Sequence, residues 1–133
     1  MCLERKEMKK LLLVHGWFIQ SGLRLNLHPQ NGIPYFYDGD GFWMYHGKLF
    51  FKEDEVFEGA LYDHCGIAEV RGTLKDGKLA FDKHYTHRND PIHYELVQTV
   101  VPTEFSGTYK GVLVGSGSTK LTLAEPSKTF FVA

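Results

Sequence analysis

The chain has little cysteine, almost no net charge and no long apolar run, and each shortage removes a class of protein. Two cysteines, Cys2 near the N terminus and Cys65 in an expected turn, do not make a disulfide framework. Fifteen Lys and Arg against sixteen Asp and Glu leave a formal charge of -1, so no broad attraction to nucleic acid or to an anionic membrane is expected. Leu11-Leu12-Leu13-Val14 stops at His15 and Gly16, far short of the roughly 20 apolar residues of a membrane helix. The run then leads into Trp17, Phe18 and Ile19 without a small-residue cleavage pattern, so no secretion signal is expected and a cytoplasmic location is the default. Gly115-Ser116-Gly117-Ser118 lacks the Lys and Ser/Thr of a phosphate-cradling loop and reads as a flexible hairpin connection.

What the chain does contain is β-strand patterning. Its 133 residues suffice for one domain with a real core. The polar opening, residues 1–10, reads as a tail or short cap, and residues 11–133 as a single β-barrel domain. Strands are expected over 12–20, 23–28, 33–37, 42–45, 48–51, 56–62, 67–74, 78–85, 92–100, 105–114, 119–123 and 129–132. Asp38-Gly39-Asp40-Gly41 reads as a turn between two of them, and Asp76-Gly77 as a hairpin turn built on positive φ. Short strands with little helical periodicity predict an all-β antiparallel meander closed, or nearly closed, into a barrel, since closure protects otherwise unpaired edges.

A period of two also sorts the side chains. Phe57, Gly59, Leu61 and Asp63 share one parity, as do Leu79, Phe81, Lys83 and Tyr85. If both sets point inward, Asp63 and Lys83 approach each other near one mouth as a structural polar pair. The runs Ile92, Tyr94, Leu96, Gln98 and Phe105, Gly107, Tyr109, Gly111 continue the pattern. Two readings of this interior stand side by side: a dense aromatic core, or a pocket for a small apolar or aromatic ligand. In the second, Phe81, Tyr85, Tyr94, Leu96 and Tyr109 are candidate lining residues, and Lys83 or Gln98 candidate orienting donors.

The succession Phe57-Glu58-Gly59, Asp63-His64-Cys65-Gly66, Val70-Arg71-Gly72, Leu79 through Tyr85, His93-Tyr94-Glu95 and Phe105 through Tyr109 resembles the calycin-like, lipocalin-related small barrels. The resemblance covers residues 15–123 and implies a closed antiparallel meander around a central cavity; it carries no active-site assignment. Noncovalent ligand binding is therefore the leading expectation, with no cofactor. A protein-interaction or structural barrel is the competitor, in which Phe42, Trp43 and Tyr45 act as partner-binding anchors or else pack over the mouth.

Catalytic and metal chemistry find weaker footing. Ser106, His93 and Glu95 supply residue types for hydrolysis but no arrangement. His84 and His87 would point oppositely on a continuing strand, even with Asp82 and Asp90 nearby, so no metal ligands are assigned.

Overall fold

The computed structural model describes residues 10–20, 23–38, 41–87, 90–112 and 114–126. The expected tail before Lys10 and the expected strand at 129–132 lie outside the described residues. Among the described residues ten strands run in chain order: β1 (Lys10–Gln20), β2 (Leu23–Leu27), β3 (Pro34–Asp38), β4 (Gly41–Phe51), β5 (Val56–Asp63), β6 (Gly66–Lys75), β7 (Lys78–Tyr85), β8 (Ile92–Gln98), β9 (Glu104–Gly111) and β10 (Gly115–Ala124). Eight of them close a barrel in the order β1-β10-β9-β8-β7-β6-β5-β4, every pair antiparallel, with β1 on β4 completing the circuit. The fold is an all-β antiparallel closed barrel, and from β4 to β10 it is a plain meander.

Turn chemistry explains the tight joints. Asp76 and Gly77 have φ of 52° and 77°, the left-handed pair that a two-residue hairpin needs to match strand twist. Gly59 serves a different purpose. A β-carbon there would sit 2.0 Å from the Lys48 carbonyl oxygen, so only glycine lets β4 and β5 approach this closely.

Three local readings give way to longer-range pairing. Residues 42–45 and 48–51 are one strand, because β4 runs unbroken along β1 from Phe51 opposite Lys10 to Gly41 opposite Gln20. Gly115 through Ser118 is the start of β10, paired with Gly111 through Thr108, and not a flexible connection. The third concerns β3, which pairs with β2 and not with β4. Leu23 pairs with Asp38 as Gln20 pairs with Gly41, so the separate two-stranded β2–β3 ribbon has the same register as the β1–β4 ladder.

Alternation places one side chain in two inside. An eight-stranded barrel has an interior about wide enough for its own side chains, and here it is packed with Leu49, Phe57, Leu61, Val70, Leu79, Phe81, Tyr94, Leu96, Phe105 and Leu121 among others. Hairpins β5–β6, β7–β8 and β9–β10 turn at one end, called here the upper mouth. Hairpins β4–β5, β6–β7 and β8–β9 turn at the other, the lower mouth.

Candidate functional site

The upper mouth is closed by a polar group inside an aromatic shell. Asp63 ends β5 and Lys83 lies on β7, so they are separated by β6. On that strand Gly66 stands opposite Asp63 and Val70 opposite Lys83, and between them the inward residue is the small Ala68, opposite Tyr85. The missing bulk on β6 lets side chains from its two neighbours meet across it. Lys83 Nζ donates to Asp63 Oδ2 at 2.5 Å and to the Tyr94 hydroxyl oxygen at 3.3 Å. The Tyr85 hydroxyl donates to the same Asp63 Oδ2 at 2.6 Å, and the Cys65 amide donates to Oδ1 at 2.8 Å. The Lys83 side chain is 1% exposed and that of Asp63 0%.

A buried ammonium costs far more than a buried amide unless its charge is matched. Besides Asp63, four ring faces surround it: Tyr85 at 4.7 Å, Tyr94 at 5.5 Å, and Phe18 and Tyr45 each at 5.6 Å from Nζ to centroid. Each ring offers its negative face to the cation. The phenols stay protonated. Burial, reinforced by the Asp63 charge, pushes Tyr85 and Tyr94 well above the ordinary phenol range, and burial followed by the neighbouring Tyr94 does the same to Tyr45. The Tyr45 hydroxyl and the Thr119 hydroxyl are 2.8 Å apart, Thr119 also donates to the Trp17 carbonyl, and Tyr109 donates to the Ile19 carbonyl.

His64 caps this shell from the turn. Its ring stacks on Trp43 at 4.0 Å and on Phe18 at 5.8 Å, while its edge reaches solvent. Burial of those faces lowers its pKa, with the nearby Asp63 acting in the opposite direction. Its Nε2 lies 3.4 Å from Cys65 Sγ. Trp43 Nε1 is buried without a hydrogen-bond partner among the described residues.

The expected lining residues Phe81, Tyr85, Tyr94, Leu96 and Tyr109 all face inward and are buried. Three of them touch: Phe81 stacks on Tyr94 at 4.7 Å, and Tyr94 meets Tyr109 at 5.7 Å. Gln98 is different. It ends β8 at the lower mouth, donates to the Pro102 carbonyl at 2.6 Å, and borders a depression of about 380 Å³. Leu12, Leu74, Phe105 and Leu123 supply its apolar wall, with Lys10, Thr103 and Glu125 around it. A second depression of about 280 Å³ shares Lys10, Leu12 and Leu74 and adds Phe51, Glu53 and Asp54. The two orienting donors expected from sequence thus stand at opposite ends of the barrel.

Of the expected partner anchors, Tyr45 is buried, Trp43 is half-buried against His64, and Phe42 alone stands out, at 57% exposure. Strand alternation divides them, with Met44 joining Phe42 outside. The hydrolytic set does not assemble either. Along the β8–β9 ladder His93 stands opposite Lys110, and Ser106 opposite Val97. His93 instead bridges Asp82 at 2.8 Å and Glu95 at 2.9 Å on the outer face, and those hydrogen bonds, Asp82 first, raise its pKa.

Phe18, Thr119 and the lower-mouth leucines escape a sequence reading centred on β5–β9. Phe18 shares parity with Leu12, Val14 and Gly16, a signal that was present but short. No helix of the described residues is long and apolar enough to cross a membrane. Comparison with known family models, curated proteins and solved structures gives no match to this chain.

Proposed function

We propose that the protein binds a small, largely apolar or aromatic molecule noncovalently at the lower mouth of its barrel. The observation that carries the reading is the depression of about 380 Å³ walled by Leu12, Leu74, Phe105 and Leu123 with Gln98 at its edge. Its size falls within the roughly 300–1,000 Å³ of small-molecule sites, and its few polar groups are of the kind that orient an apolar ligand. The closed antiparallel barrel supports it, because one mouth is plugged by Lys83 and Asp63 while the other retains room. In this reading Gln98 is the orienting donor, and Phe81, Tyr94 and Leu96 form the packed layer behind the site, with Tyr85, Tyr109 and Lys83 securing the far end.

Titration of the isotope-labelled protein with the aromatic probe 1-anilinonaphthalene-8-sulfonate tests it. Saturable amide shifts are expected at Leu12, Leu74, Gly77, Gln98 and Phe105, with weaker binding in Gln98→Ala and none in Leu12→Trp, which fills both depressions. Absence of saturation, or shifts concentrated elsewhere, would reject the site.

A protein-interaction reading draws on one specific observation, the outward cluster of Ile19, Phe42 and Met44 where the ribbon leaves the barrel. Phe42→Ser should leave probe binding unchanged. If it abolishes binding, the functional face is this one.

A further inference from the structure

The turn joining β5 to β6 places three different metal-ligating groups on consecutive residues, Asp63, His64 and Cys65, whose ligand atoms all lie within 4.8 Å of one another. Cys65 Sγ and His64 Nε2 are 3.4 Å apart. On a tetrahedral ion with Zn–S of about 2.3 Å and Zn–N of about 2.0–2.1 Å, a sulfur and a nitrogen ligand are separated by about 3.5 Å. The pair already stands at chelating distance. The Asp63–Cys65 amide hydrogen bond fixes the carboxylate in the turn, and a thiol–imidazole hydrogen bond holds the sulfur and nitrogen where an ion replacing the shared proton would be bound by both.

Asp63 retains capacity for an ion. Its Oδ2 is taken by Lys83 and Tyr85, whereas Oδ1 accepts the Cys65 amide and carries a second lone pair. Lys83 and Tyr85 fix the carboxylate from behind, the role that outer-shell partners play for metal-bound groups. The Lys83 charge opposes a dication, and a Cys65 thiolate, its proton released to solvent on binding, offsets that opposition. His64 is held by Trp43 on one side and Phe18 on another, so little rotamer freedom remains to be lost. A further donor stands beside the turn in His87, whose imidazole Nδ1 lies 3.9 Å from where a β-carbon on Gly66 would stand.

We propose that Asp63, His64 and Cys65 bind one divalent transition-metal ion of the zinc type at the upper mouth, leaving a fourth position for water or His87. A thiolate, an imidazole and a carboxylate suit zinc or cobalt and not magnesium or calcium, which take oxygen ligands. This site lies at the opposite end from the proposed ligand mouth, and either can fail without the other.

Cobalt(II) titration of the full chain is the test. One equivalent should produce thiolate-to-cobalt charge-transfer absorption together with intense tetrahedral d–d bands, and zinc should displace it while magnesium should not. Cys65→Ser should abolish the charge-transfer band, Cys2→Ser should retain it, and His64→Gln should weaken cobalt binding by about tenfold or more. Circular dichroism of each variant separates loss of ligand from loss of fold, and the exposed edge of His64 makes its substitution the safer of the two. No charge-transfer band, or a band that survives Cys65→Ser, would overturn the proposal.

Discussion

An ammonium group with a 1% exposed side chain is tolerable only where the fold supplies its counter-charge, and among the described residues Lys83 has a single carboxylate within reach of a hydrogen bond. Lys83→Met should therefore cost about 3–5 kcal/mol, because Asp63 stays buried with Tyr85 and the Cys65 amide as its remaining donors. Asp63→Leu combined with Lys83→Met should recover part of that loss but not all, since those two donors then lose their acceptor. Urea midpoints of the three proteins measure both effects, and a single variant within 1 kcal/mol of the parent would show that water reaches the pair. Period-two reading put Asp63 and Lys83 on the inside because parity depends only on the strand being a strand. It did not reveal why they touch. That depends on Gly66 and Ala68 of the intervening strand, and the rings of Phe18 and Tyr45 come from β1 and β4, brought in only when the barrel closes.

At the level of elements, β5 through β9 were legible because each joint is short and each strand alternates cleanly. The β1–β4 region was not, because its turn-like residues sit in a ladder set by distant partners. Asp38-Gly39-Asp40-Gly41 has the composition of a hairpin turn, yet Gly41 opens β4 opposite Gln20 and Asp38 closes the ribbon opposite Leu23. The two central residues of that expected turn, Gly39 and Asp40, lie outside the described residues, and on its flank the eleven-residue β1–β4 ladder sets the pairing. Since β2 and β3 pack chiefly on each other, the ribbon is an appendage to a barrel that closes without it. Replacing residues 21–40 by Asn-Gly should leave a folded barrel. The loop-closure cost changes slowly with length, by about 0.6 kcal/mol per doubling, so the shorter connection should be neutral to mildly stabilising. Loss of near-ultraviolet circular dichroism or a collapse of the urea midpoint would make the ribbon part of the folding unit.

For the whole molecule, the consequential feature is that its two ends differ. The upper mouth spends its interior on a satisfied charge and stacked rings, while the lower mouth keeps a depression bounded by leucines and Gln98. Leu12 at the lower end and Phe18 at the upper end both belong to β1, and six residues of extended chain set them about 20 Å apart. Side chains that far apart with no shared partner should act independently, to within about 0.3–0.5 kcal/mol. A double-mutant cycle between Lys83→Met and Leu12→Trp makes this measurable, with urea midpoints as readout. Additive losses would mean that each mouth can change its occupant without disturbing the other, as separate ligand and metal sites require. A coupling above about 1 kcal/mol would mean that the close-packed core between them transmits strain, and that filling one end of the barrel alters what the other can hold.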